Sequence, residues 1–125
     1  MGITTMKKLL LLALSLFLFN SLLSAGEADV IKVDVKKDDK NSYNFSVTLS
    51  HEDAGCKHFA NKWDIVTAEG IVLGTRTLYH PHVKEQPFTR YLSGIEIPDQ
   101  IRTVFIRAHD SVHQYGGKTI SVDLP

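Results

Sequence analysis

Tyr43-Asn44-Phe45-Ser46-Val47-Thr48-Leu49-Ser50 carries the plainest structural signal in the chain, with apolar residues at 43, 45, 47 and 49 and polar ones between them. Side chains of an extended chain point alternately to opposite sides, so this stretch reads as a strand with one dry face and one wet face. Such a strand must bury its apolar face against a second layer. The preceding residues repeat the pattern: Ile31, Val33 and Val35 alternate with Lys32, Asp34 and Lys36, and the polar run 37–42 turns the chain between the two.

The same reading continues toward the C-terminus. Residues 62–68 form a third strand, with Trp63 and Ile65 on one face and Val66 on the other, and Glu69-Gly70 is a tight turn. Residues 71–79 form a fourth, in which Gly74 signals a bulge or a close backbone approach. A fifth covers 88–97, broken at Ser93-Gly94, a sixth 103–109, and a seventh 118–124 with Ile120 and Val122 inward. Seven short strands at roughly ten-residue spacing, with no helical period of useful length, predict an all-β fold. The expected architecture is a seven-stranded antiparallel immunoglobulin/fibronectin-like sandwich with Trp63 in its core; a small barrel is the competing arrangement.

Lys7-Lys8, the apolar run Leu9 to Phe19 and the small residues Ser24-Ala25-Gly26 read as a secretory signal over residues 1–26, leaving one domain over 27–125. That predicts a periplasmic or secreted protein with no stable membrane anchor after cleavage. Loss of Lys7 and Lys8 from 14 basic residues leaves 12 against 14 acidic ones, a formal charge of −2. A near-neutral domain offers no electrostatic case for nucleic acid as a partner. Cys56 is the single cysteine, so an internal disulfide is excluded.

In a sandwich of successive antiparallel strands the connections alternate between the two ends. The second, fourth and sixth connections share one end, and they hold His51, Cys56 and His58, then His80 and His82, then His109 and His113. The candidate metal ligands are Cys56, His58, His80, His82, His109 and His113, a set suited to zinc, copper or iron. His80-Pro81-His82 aims two rings in one direction, because proline favours an extended residue before it. His109 and His113 meet if 110–112 make a helical turn. Glu52, Asp53 and Asp110 are available to accept hydrogen bonds from the distal ring nitrogens. The other reading is that each histidine braces a loop by tying down backbone groups. A blue-copper site is disfavoured, because Met1 and Met6 both lie in the leader. Asp110, Ser111 and His113 have the residue types of a hydrolase triad but sit in one loop, whereas a triad is defined by geometry.

Three segments together carry a resemblance: His51-Glu52-Asp53-Ala54-Gly55; His80-Pro81-His82 with Glu85-Gln86-Pro87-Phe88-Thr89-Arg90; and His109-Asp110-Ser111-Val112-His113 with Tyr115-Gly116-Gly117. The chain resembles a group of small exported bacterial β-sandwich proteins of no established activity. It is more loosely similar to superoxide reductases of the neelaredoxin type, which implies His51, His58 and His113 as iron-binding histidines. That family's essential cysteine belongs to a late loop, near where Asp110 stands here, whereas Cys56 lies in an earlier one. The expected function is an exported, non-catalytic binding module with a histidine-rich pole. A protein-contact domain is the first alternative and a mononuclear metal enzyme the second.

Overall fold

A computed structural model describes residues 26–38 and 40–125, and the signal segment falls outside them except for Gly26. The chain forms seven strands: β1 (Asp29–Lys37), β2 (Ser42–Ser50), β3 (Ala60–Val66), β4 (Val72–Thr77), β5 (Phe88–Glu96), β6 (Thr103–Asp110) and β7 (Ile120–Asp123). They make two antiparallel sheets, in the orders β1-β2-β5 and β4-β3-β6-β7. This is the seven-stranded sandwich expected from the alternation. No helix among the described residues is long and apolar enough to cross a membrane.

The dry faces meet as the period-two pattern requires. Tyr43, Phe45, Val47 and Leu49 of β2 are buried against Trp63 and Ile65 of β3 and Val104, Ile106 and Ala108 of β6. Trp63 and Ile65 are fully enclosed, and burying side chains of this size contributes about 1.5–3 kcal/mol apiece. Gly74 meets the predicted close approach, because a Cβ there would lie 3.1 Å from Ile95 of the facing sheet.

Two local details depart from the sequence pattern. Ile31 was expected to face inward, yet it is exposed while Val30 is buried. The register shifts between Val30 and Lys32 opposite Leu49 and Thr48, so a bulge at Ile31 resets the phase of β1. β5 is not broken at Ser93-Gly94. It bulges there opposite Tyr43 and Phe45, with Gly94 at φ 73° and its amide on the Asn44 side chain.

Connections 51–59, 78–87 and 111–119 gather at one end. The Asp53 carboxylate accepts the His82 amide at 2.6 Å, and the Phe59 carbonyl accepts the Ser111 amide at 3.0 Å. The start of β1 is at this end too, since Asp29 pairs with Ser50.

Candidate metal centre

His51 directly follows β2 and keeps the inward phase of Tyr43, Phe45, Val47 and Leu49; it is only 4% exposed. Asp110 ends β6 in the inward phase of Val104, Ile106 and Ala108 and is fully buried. The dry interior therefore ends, at this pole, in an imidazole from one sheet facing a carboxylate from the other.

The contacts are dense. His51 Nδ1 bonds Asp53 Oδ1, and His51 Nε2 bonds Asp110 Oδ2. His58 Nε2 lies 2.8 Å from the same Asp110 oxygen. The Gly26 carbonyl oxygen is 2.9 Å from His51 Nε2 and 3.3 Å from His58 Nε2. One ligand atom from each of His51, His58 and Asp110 lies within 4.8 Å of the others, close enough to share an ion.

Two carboxylates fix this geometry from behind. Asp110 Oδ1 accepts the backbone N–H groups of Val112 at 2.6 Å and His113 at 2.7 Å, which leaves Oδ2 for the imidazoles. Asp53 Oδ1 also accepts the Ala60 amide at 3.0 Å, while its Oδ2 takes the amide of His82. Asp53 thus orients the His51 ring and ties two loops with one side chain.

Electrostatics follow from the contacts. Burial disfavours the charged His51 ring, but hydrogen bonds to Asp53, Asp110 and the Gly26 carbonyl outweigh it and raise the pKa above the ordinary 6.5. Burial likewise disfavours the Asp110 carboxylate, yet the amides of His113 and Val112 and then His51 hold its pKa down at about 2. In the metal-free protein, both nitrogens of His51 face carboxylate oxygens, so both carry hydrogens and the ring is an imidazolium. Its stabilising contribution is fully present below pH 6.5 and is lost as pH rises through its raised folded-state value. That of Asp110 is fully present above its ordinary 3.8 and is lost as pH falls through about 2. With chelator present, the His51 and Asp110 contributions are level from about pH 4 to 6.5, while His82 and His109, whose pKa values burial lowers, make the urea midpoint rise with pH toward 6.5. Above that the midpoint is expected to decline as His51 loses its proton. A midpoint that climbs above pH 6.5 would contradict the doubly bonded His51.

The six ligands expected from the sequence occupy different surroundings. His58 is in the cluster, and the His113 ring packs on it at 5.0 Å, with Nδ1 3.4 Å from Asp110 Oδ1. His82 is buried and stacked on Phe88 at 4.0 Å, with neither ring nitrogen hydrogen-bonded. Burial, then Arg90 and His80, push its pKa down, so this ring is neutral. His80 packs on His82 at 5.0 Å. His109 takes the opposite, outward phase of β6, bonds Asn61 at 2.6 Å and meets the edge of Tyr115. Cys56 is exposed. Residues 110–114 form a turn closed by the Asp110–Gln114 backbone pair, and it sends His113 toward the cluster while His109 faces away. Tyr115 holds that loop on the outer face of the sheet, its hydroxyl donating to Asp64 at 2.5 Å under the Arg107 guanidinium, 4.0 Å from the ring. From outside the six, His51, which only the looser resemblance implied as a ligand, and Asp110, expected only as a hydrogen-bond acceptor, join the cluster as ligand candidates. The signal for both was an inward strand phase continued one step past the apolar run.

The chain is 40% identical over 101 residues to a protein of Halomicrobium mukohataei named "Putative lipoprotein". The match covers 81% of this chain and 49% of that protein, so the chain spans about half the length of the curated relative it matches. No family model matches the chain, and no solved structure does either.

Proposed function

We propose that the protein is an exported, non-catalytic binding module that holds one divalent transition-metal ion between His51 Nε2, His58 Nε2 and Asp110 Oδ2. The observation that carries this reading is the convergence of two imidazole nitrogens from different parts of the chain on a single carboxylate oxygen, with Asp53 behind the first ring. A carboxylate on the far nitrogen of a ligating histidine fixes its tautomer and strengthens it as a donor. Charge balance points the same way. Once the ion takes the place of the ring proton on His51, one doubly charged ion balances the two buried carboxylates.

Two imidazoles and a carboxylate suit zinc or iron, and copper(II) with further oxygen donors. The signal segment of the sequence and the name of the relative support export, and on this reading the site faces the periplasm or the outside of the cell. The likeness to small exported bacterial sandwiches of no established activity fits this reading.

The test is elemental analysis of the full-length chain purified without chelators or metal-affinity resin. One first-row metal per chain is expected, with affinity reduced at least about 100-fold in His58→Ala, since even the partners behind a ligand are worth 10–100-fold. His58 is half-buried, so this variant should keep the fold. His80→Ala is expected to retain metal. Binding should release protons and tighten as pH rises, opposite in sign to the metal-free stability above pH 6.5. Near-zero metal in the unaltered chain, before and after soaking with zinc(II), would sink the proposal.

A second reading has its own support. Tyr79 is 84% exposed, and Val83 and Val112 are exposed at the same pole. On that reading the pole contacts another protein, and the imidazole–carboxylate network only braces its loops. A chain that binds no metal but keeps the network's stability would favour it.

A further inference from the structure

The metal site as drawn has three side-chain donors, and a fourth oxygen already points at it. The Gly26 carbonyl lies 2.9 Å and 3.3 Å from the two imidazole nitrogens that also face Asp110 Oδ2. Four donors around a zinc-sized ion, each about 2.0–2.2 Å from it, stand about 3.4 Å apart in a tetrahedron. Three of the separations, 2.8, 2.9 and 3.3 Å, fall short of that, as expected of donors drawn together by hydrogen bonds. A modest expansion would seat the ion.

The carbonyl is placed there by the way the chain runs into β1. The Ala28 backbone passes so close to Gly117 that a Cβ on Gly117 would overlap the Ala28 carbonyl. The Val30 amide donates to the Lys118 carbonyl at 2.9 Å, and the Lys118 amide to Asp29 Oδ1 at 2.7 Å. Residues 26–30 are thereby laid across the β6–β7 loop. Gly26 has φ +110°, a conformation that L side chains rarely adopt, and a Cβ on it would lie 2.9 Å from the His113 ring. A side chain at that position would be strained.

We propose that Gly26 is a metal ligand through its backbone oxygen, so that the segment entering β1 completes a site of two nitrogens and two oxygens. This rests on the metal-binding reading above and adds two things to it. The donor set becomes harder, which favours divalent zinc, iron or manganese over copper(I). The site also depends on where the leader is removed. The boundary read from the sequence, cleavage before Glu27, would remove the fourth donor, so the proposal requires cleavage before Gly26 or a retained leader.

The experiment compares zinc(II) affinity, by chelator competition, in four proteins: the full chain, its Gly26→Val and His113→Ala variants, and a chain beginning at Glu27. Cobalt(II) spectra of each report coordination number. Gly26→Val and the chain beginning at Glu27 should each lose about tenfold or more in affinity, with an altered cobalt spectrum, since no ligand should be worth less than the partners behind it. His113→Ala measures what the His113 ring itself contributes, and the loss in Gly26→Val should exceed it, which separates loss of the carbonyl from displacement of that ring. Undiminished affinity in the chain beginning at Glu27 would overturn the proposal, as would a loss in His113→Ala equal to that in Gly26→Val. If that chain does not fold, the two point variants decide. Failure of the unaltered full chain to bind zinc would instead overturn the metal reading itself, and this one with it.

Discussion

Asp110→Ala is expected to destabilise the metal-free protein by about 3–5 kcal/mol, the usual cost of removing one partner from a buried charged pair. The carboxylate accepts two backbone amides through one oxygen and faces two imidazoles through the other, with none of its side chain exposed. Alanine would leave the amides of Val112 and His113 without their acceptor and the His51 imidazolium with one carboxylate instead of two. For a domain of about one hundred residues, each kcal/mol shifts the midpoint by roughly 4–8 °C, so a fall of about 12 °C or more is expected in a thermal melt. Asp110→Asn separates the roles. Its carbonyl can still accept the two amides, so the stability loss should shrink to about 1–2 kcal/mol, while its amide nitrogen cannot ligate an ion. Stability largely kept and metal lost would mark Asp110 as a ligand. A loss of stability as large as in the alanine variant would mark it chiefly as a brace.

Asp53→Ala is expected to come second, at about 3 kcal/mol, together with a fall of about 10–100-fold in metal affinity. This carboxylate touches no proposed metal position. It holds His51 Nδ1, the Ala60 amide and the His82 amide, so its removal frees the ring on one side and loosens the β4–β5 loop on the other. The measurement is amide hydrogen exchange beside zinc competition. Faster exchange at His82 together with weaker zinc binding is expected. Unchanged zinc affinity would mean that the His51 ring is oriented by its surroundings without Asp53.

The fold was legible because β2 and β6 alternate almost without fault, and because turn residues separate the strands. The bulge at Ile31 was not legible. Ile31 reads as one more inward residue, and only pairing with β2 shows that the phase resets there. The site was legible as a place, since the histidine-bearing loops do share a pole. Its ligands were less so. Counting histidines by loop gives His109 the same weight as His58, although strand phase turns His109 outward beside Asn61. Carrying that phase one more inward position, two residues, beyond the apolar runs picks out His51 and Asp110 directly. Asp53 was legible as an acceptor for a ring nitrogen, and it holds His51 Nδ1. The Gly26 carbonyl is different, because nothing local in sequence tells that a backbone oxygen before β1 ends beside two rings. The spacing of His80 and His82 is real, yet His82 is buried against Phe88 while His80 packs on it from the exposed side.

The two ends of the sandwich are closed by unlike means. At one end, His51 from the β2 sheet is clamped to Asp110 of the β6 sheet, with Asp53 pinning a third loop. At the other, Lys40, Asn41 and the stretch 96–99 border an open cleft, and the hydrogen bonds of those turns, such as Ser42 to Asp38 and Ile101 to Pro98, are local. The molecule should therefore come apart in one direction, opening from the 38–42 and 97–101 end and parting last at the histidines. A bound ion would act on that final step, slowing the rate at which the two sheets separate far more than it changes the early fraying.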